Sequence, residues 1–142
     1  MATRRPIVLT TAALLLVEAG GVVLLHAVLA TVQGSQRMSL AGLDPDAMVA
    51  GTWVMGALSG AYLAVCGALL LRVALRGRGP GRWTRVLLIS CAITHGVLGA
   101  VAVGLVGWFA FAWLMVVLGL VVLSLMAYGE ESAPLEEGAA TV

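Results

Sequence analysis

Four apolar runs, at about residues 7–32, 47–71, 86–106 and 108–128, leave this chain few ways to fold. A helix rises about 1.5 Å per residue, so about 20 apolar residues cross the roughly 30 Å hydrocarbon layer of a bilayer. Each run reaches that length. Inside lipid every backbone N–H and C=O needs an internal partner, which restricts a spanning chain to helices or closed barrels. Runs of this length fit helices. The fold is therefore expected to be all-α, an integral membrane four-helix bundle over residues 1–128. Composition points the same way: the chain of 142 residues is 61% hydrophobic and 11% charged. A soluble domain is about half apolar and about a quarter charged.

The charges that remain orient the bundle. Between the second and third runs lies RVALRGRGPGRWTR, with Arg72, Arg76, Arg78, Arg82 and Arg85 around a Gly-Pro-Gly break. Short arginine-rich loops stay on the cytoplasmic side. Arg4 and Arg5 precede the first run, whereas the polar loop 33–46 sets Arg37 against Asp44 and Asp46 and reads as the outer loop. Both termini are then cytoplasmic, in a multi-pass protein of a bacterial cell membrane. Residues 129–142, GEESAPLEEGAATV, hold four glutamates and no base. They read as an acidic, disordered cytoplasmic tail. The arginines either set topology alone or also bind anionic lipid headgroups. The first run is too long for a cleaved signal peptide, although TRRPIV hints at a twin-arginine signal.

Local signals place the helix ends and packing faces. Asp44-Pro45 predicts a helix start, with Asp44 as N-cap and Pro45 at the first helical position. A very short turn at Gly104–Gly107 predicts a tight hairpin between the last two helices. Small residues let membrane helices approach closely. The candidates are Gly20-Gly21, Gly56 and Gly60 with Gly67, and Ala92, Gly96 and Gly99. The fourth run has few small residues and Ser124 as its one polar residue, so much of it is expected to face lipid or a partner subunit.

Depth counted from the arginine loop singles out a polar layer. Ten residues in from Arg72 stands Tyr62, and ten in from Arg85 stands His95. Both lie roughly 15 Å deep, near mid-membrane. Six residues in, the same count gives Cys66 and Cys91. Each pair is spaced i,i+4 and shares a helix face. Antiparallel packing then sets Tyr62 beside His95 and Cys66 beside Cys91. Glu18 is thirteen residues from Arg5, roughly 20 Å in, within about a turn of that layer.

Glu18 is the one acidic residue inside any run. A carboxylate in hydrocarbon must face the interior, find a partner or hold a proton. Glu18, Tyr62 and His95 are accordingly the candidate proton or polar site. Glu18 acts either as a protonatable transport site or as a structural residue that fixes packing. His95 either donates to Glu18 or bonds a backbone carbonyl or Tyr62. The cysteines read as small apolar packers, with a metal site from Cys66, Cys91 and His95 as the remote alternative. His26 lies near the outer surface by the same count, too far along the axis to share a haem with His95. No nucleotide-binding, metalloprotease, CxxC or GxSxG motif occurs, so no catalytic residue, cofactor or metal is assigned. The net charge of +1 gives no attraction to nucleic acid.

Four helices with a membrane-embedded Glu18, in LLLVEAGGV, resemble the layout of the small multidrug resistance transporters. The resemblance implies a proton-coupled site at Glu18. It covers the helix count and that segment alone. The third run lacks that family's aromatic and glycine-rich pattern, the first loop is longer, and the arginine loop and acidic tail differ. In layout and its all-arginine basic composition the chain also resembles uncharacterised four-span membrane proteins of GC-rich, actinobacterial-type bacteria. Three functions compete. The first is a non-enzymatic structural or accessory protein acting through helix contacts with itself or a membrane-protein partner. The second is a proton-coupled transporter of a small molecule. The third, an enzyme built on Glu18, Tyr62 and His95, has the least support, because no nucleophile-base arrangement can be read.

Overall fold

The apolar runs fold as α1 (Arg4–Gln36), α2 (Pro45–Arg76), α3 (Arg82–Leu105) and α4 (Trp108–Gly129) in the computed structural model. The structure describes residues 4–36, 42–77 and 79–129; Arg78 and the acidic segment from Glu130 onward lie outside the described residues. All four helices are long and apolar enough to cross a membrane, and no strand occurs among the described residues. The chain is an all-α, multi-pass membrane bundle.

Helix ends follow local chemistry. The Asp44 side chain accepts a hydrogen bond from the Asp46 backbone N–H at 3.0 Å, and Pro45 follows it inside α2. At the other end Gly77 takes the left-handed conformation, φ 64°, and its N–H returns to the Val73 carbonyl at 3.0 Å. This is a glycine stop, which a residue with a Cβ enters only with strain. Helix α2 thus runs one turn beyond its apolar stretch. Arg72 and Arg76 belong to its last two turns, and Arg82 and Arg85 to the first turn of α3. The segment expected as a short arginine loop, residues 72–85, is mostly helix. The α3–α4 turn is as short as expected: the N–H groups of Val106 and Gly107 both reach the Ala102 carbonyl, with Gly107 at φ 115°.

The helices pack as a ring in chain order. α1 lies along α2, α3 along α4, α4 closes on α1, and α2 meets α3 over the smallest contact. Between α1 and α3, and between α2 and α4, no Cα atoms approach within 8 Å among the described residues. The interior is apolar, with Val8, Leu15, Leu70, Leu88, Val117 and Val121 almost wholly buried.

Glycines make the α1–α2 contact close. A Cβ on Gly56 would collide with the Cβ of His26, and one on Gly60 with Val23. A Cβ on Gly67 would stand 2.9 Å from Leu16 Cγ and 3.1 Å from the Ala12 carbonyl oxygen. The three glycines fall on one face, four and seven residues apart, where side chains of α1, joined at Gly60 and Gly67 by a backbone carbonyl, take up the space that a Cβ would fill. Gly20 and Gly21 do not take part: nothing lies within 4 Å of a Cβ on either, so the close approach expected there is absent. Their position on α1 turns them away from α2.

Two polar clasps tie α1 to its neighbours. Thr52 donates to the Gln33 side-chain oxygen at 2.8 Å. Near the opposite end Thr11 and Ser124 meet at 3.0 Å, fully buried, while each also bonds a carbonyl of its own helix. Ser124, the polar residue of a helix much of which is expected to face lipid or a partner subunit, points into the bundle against α1. Val117 and Val121 join it in the core, while Trp108, Phe109, Val116 and Met126 on the outer face of α4 are exposed. Thr11→Val keeps the shape and removes the interhelical bond. It is expected to lower stability by about 0.5–1.5 kcal/mol, measured by SDS-titration unfolding in mixed micelles.

Candidate functional site

The polar layer is assembled across the diagonal of the ring. From α3, His95 projects into the interior and is only 2% exposed. Its Nδ1 lies 2.8 Å from the Cys91 carbonyl oxygen, one turn back on the same helix. A carbonyl only accepts, so Nδ1 carries a proton and the ring is held in one orientation. From α1, Glu18 reaches across, and its Oε2 lies 3.0 Å from His95 Nε2. This is the one hydrogen bond between α1 and α3 among the described residues, and it bridges helices whose backbones never become neighbours.

With Nδ1 already a donor, the Nε2–Oε2 contact holds a single proton. Either an imidazolium faces a carboxylate, or a neutral imidazole accepts from a carboxylic acid. The net charge of the pair is zero in both forms. This is how a bilayer interior tolerates an acidic side chain. The two oxygens of Glu18 differ. No buried side-chain oxygen or nitrogen lacks a partner among the described residues, and Oε1 makes no hydrogen bond. Oε1 is therefore the oxygen still open to the surroundings, in keeping with the 11% exposure of the Glu18 side chain against 3% for His95.

Tyr62 does not join this pair. Its hydroxyl lies 2.6 Å from Ser90 Oγ, and Ser90 in turn donates to the Leu87 carbonyl at 2.8 Å. Depth counting compares Cα heights, whereas a phenol carries its hydroxyl well away from its own Cα. The expected Tyr62–His95 neighbourhood therefore becomes a Tyr62–Ser90 link between α2 and α3. Cys66 and Cys91 are both free, both fully buried and both part of one core cluster, as the depth count expected. The Cys91 sulfur sits 3.6 Å from His95 Nδ1, sharing its proton with the backbone carbonyl. Among the described residues no three His, Cys, Asp or Glu side chains converge in a way that would hold a metal ion.

His26 is not at a free surface. Its Cβ rests on Gly56, and its Nδ1 bonds the Val22 carbonyl at 2.8 Å. Eight residues separate it from Glu18, or roughly 12 Å along α1, which keeps it out of reach of His95. Ser90 and Thr11 were the polar residues that depth counting passed over. The signal for them was the presence of a hydroxyl within an apolar run, where a donor must find a partner.

Two clefts flank the layer. Toward the α3–α4 turn an open apolar groove of about 720 Å³ is walled by Leu25, Leu98, Val101, Phe109 and Trp113, with neither Glu18 nor His95 among its walls. At the other end, a smaller cleft of about 290 Å³ lies between the end of α2 and the start of α3, lined by Leu69, Arg72, Val73 and Arg76 of α2 and by Thr84 of α3. Compared with protein-family models, curated proteins and solved structures, the chain matches none of them.

Proposed function

We propose that this chain is a small non-enzymatic membrane protein of structural or accessory role, which acts through its outer helix faces on a second copy or on a membrane-protein partner. The observation that carries this reading is the closed Glu18–His95 bond. It uses the acid and the imidazole to hold α1 against α3, in a bundle whose buried polar groups are all partnered among the described residues. The outer surface is rich in large apolar side chains, such as Leu24, Leu58, Trp53 and Phe109. In this reading the arginine end faces the cytoplasm, by the charge rule, together with both termini. The layout of actinobacterial-type four-span proteins fits the same role. Energy transfer between labelled copies reconstituted in bilayers is expected to show self-association. Strictly monomeric protein that also brings down no membrane-protein partner from its native membrane would end this reading.

A second reading has its own observation. Glu18 Oε1 is open while Oε2 shares a proton with His95. In this reading Oε1 is the atom through which a proton-coupled transporter of a small molecule would exchange a proton with water. Glu18→Gln separates the two readings. The amide N–H of glutamine donates to His95 Nε2, so the bundle survives, but no proton can be exchanged. Proton-driven uptake into vesicles that is lost in Glu18→Gln, with helicity and yield unchanged, favours transport. Uptake that persists in the variant rules out Glu18 as the proton site.

A further inference from the structure

We infer that the cleft between the end of α2 and the start of α3 is a binding site for an anionic phospholipid, with Arg72 and Arg76 on its phosphate and Leu69 and Val73 against the root of its acyl chains. Three features of the fold support it.

The first is charge. Arg72 and Arg76 stand one turn apart on the same face of α2, and neither makes an ion pair or hydrogen bond among the described residues. From Ala47 to Gly129 the sequence has no acidic residue, while Arg82 and Arg85 add to the same end of the bundle. The arginines therefore have no internal counter-ion within the described bundle. A guanidinium offers a planar fork of donors that matches phosphate oxygens.

The second is depth. Asp46, at the start of α2, and Arg72 are twenty-six residues apart, or roughly 39 Å along the helix. The full thickness of a bilayer with its headgroups is about 40–45 Å. With the acidic end of α2 in one headgroup layer, Arg72 and Arg76 fall in the other. Trp83, 82% exposed beside them on α3, suits that same layer.

The third is the shape of the cleft. On α2, Leu69 and Val73 alternate with Arg72 and Arg76 along the face that lines the cleft, and Thr84 lines it from α3, so apolar and cationic groups lie within one site. A free phosphate has no use for the apolar residues. A phospholipid is polar at one end and apolar at the other, so it uses both. Gly79 and Gly81 also line the cleft.

The test is lipid retention by the purified full chain in native mass spectrometry. It compares phosphatidylglycerol, phosphatidylcholine and inorganic phosphate. Phosphatidylglycerol is expected to be retained about tenfold to thirtyfold better than phosphatidylcholine, the range that two surface charges supply. Arg72→Gln combined with Arg76→Gln should erase that preference while the helical circular dichroism signal is unchanged, since both side chains are exposed. The same preference should survive Arg5→Gln, which lies on α1 away from the cleft. Equal retention of the two lipids overturns the proposal, as does a double variant that still selects phosphatidylglycerol. Displacement of the lipid by inorganic phosphate at matched concentration would reassign the cleft to a free anion. Selection seen only after Glu130, Glu131, Glu136 and Glu137 are changed to glutamine would reassign it to the chain's own acidic segment. Either result overturns the lipid site.

Discussion

His95→Ala is expected to destabilise the bundle by about 3–5 kcal/mol in an SDS-titration unfolding measurement, the range for removing one partner of a buried charged pair. The size follows from position. His95 is almost wholly buried, and its imidazole is the partner that makes Glu18 tolerable in the interior. Alanine leaves the carboxylate facing a void with no donor. It also deletes the one direct bond between α1 and α3 among the described residues, where the two helices have no backbone contact to fall back on. Two companion variants separate charge from volume. Glu18→Gln keeps a donor for Nε2 and should stay within about 1 kcal/mol of the parent, because it removes an ionisable group and not a hydrogen bond. Glu18→Met with His95→Leu replaces the pair by apolar side chains of similar size. It should recover most of the loss, because a well-packed apolar pair matches a buried ion pair in stability. A loss below about 1 kcal/mol in His95→Ala would show that the bond does not hold the diagonal together. A double variant as weak as the single one would show that the volume of His95 matters and its chemistry does not.

How much of this was legible in advance depends on direction. Along the helix axes the sequence was informative. Apolar length located four helices, Asp44-Pro45 located the start of α2, and counting from Arg72 and Arg85 put His95 at the height of Glu18. Around the axes it was poorly informative. A soluble helix shows its buried face as an apolar stripe on a polar background. Here lipid and core are both apolar, so the contrast that sets rotation is missing. That is why Gly20-Gly21 looked as suited to close packing as Gly56 and Gly60, though the first pair faces open space. It is also why depth counting sets Tyr62 beside His95 although its hydroxyl meets Ser90. Glu18 escaped the ambiguity because a carboxylate has only one affordable direction in hydrocarbon. The helical extent of Arg72 and Arg76 was missed for a different reason. Arginine is a good helix former, and the true stop, Gly77, lies beyond both.

Gly60→Val is expected to force α1 and α2 apart and to lower stability by about 3 kcal/mol, at the upper end of the overpacking range. The argument rests on what the new side chain meets. At Gly60 a Cβ collides with Val23 and comes within 3.3 Å of the Ala19 carbonyl oxygen. Val23 is β-branched and stiff, and a backbone carbonyl cannot rotate away, so neither neighbour yields without a helix shift. Gly67→Val should behave alike, since the Ala12 carbonyl oxygen stands 3.1 Å from its Cβ. Gly99→Ala is the graded case. Its Cβ would meet Met115 Cε at 2.5 Å, the far end of a flexible side chain that can turn aside, so a loss of about 1 kcal/mol or less is expected. Gly20→Val meets nothing and should stay within about 0.5 kcal/mol. The ordering tests the α1–α2 geometry better than any single value. Valine for glycine also shifts intrinsic helix propensity, slightly in favour of the helix, wherever it is made, so Gly20→Val measures that background directly. If Gly60→Val and Gly20→Val lost equal stability, α1 and α2 would not touch where the glycines put them, and Glu18, one residue before Ala19 on the same stretch of α1, would not be held at the angle from which it reaches His95.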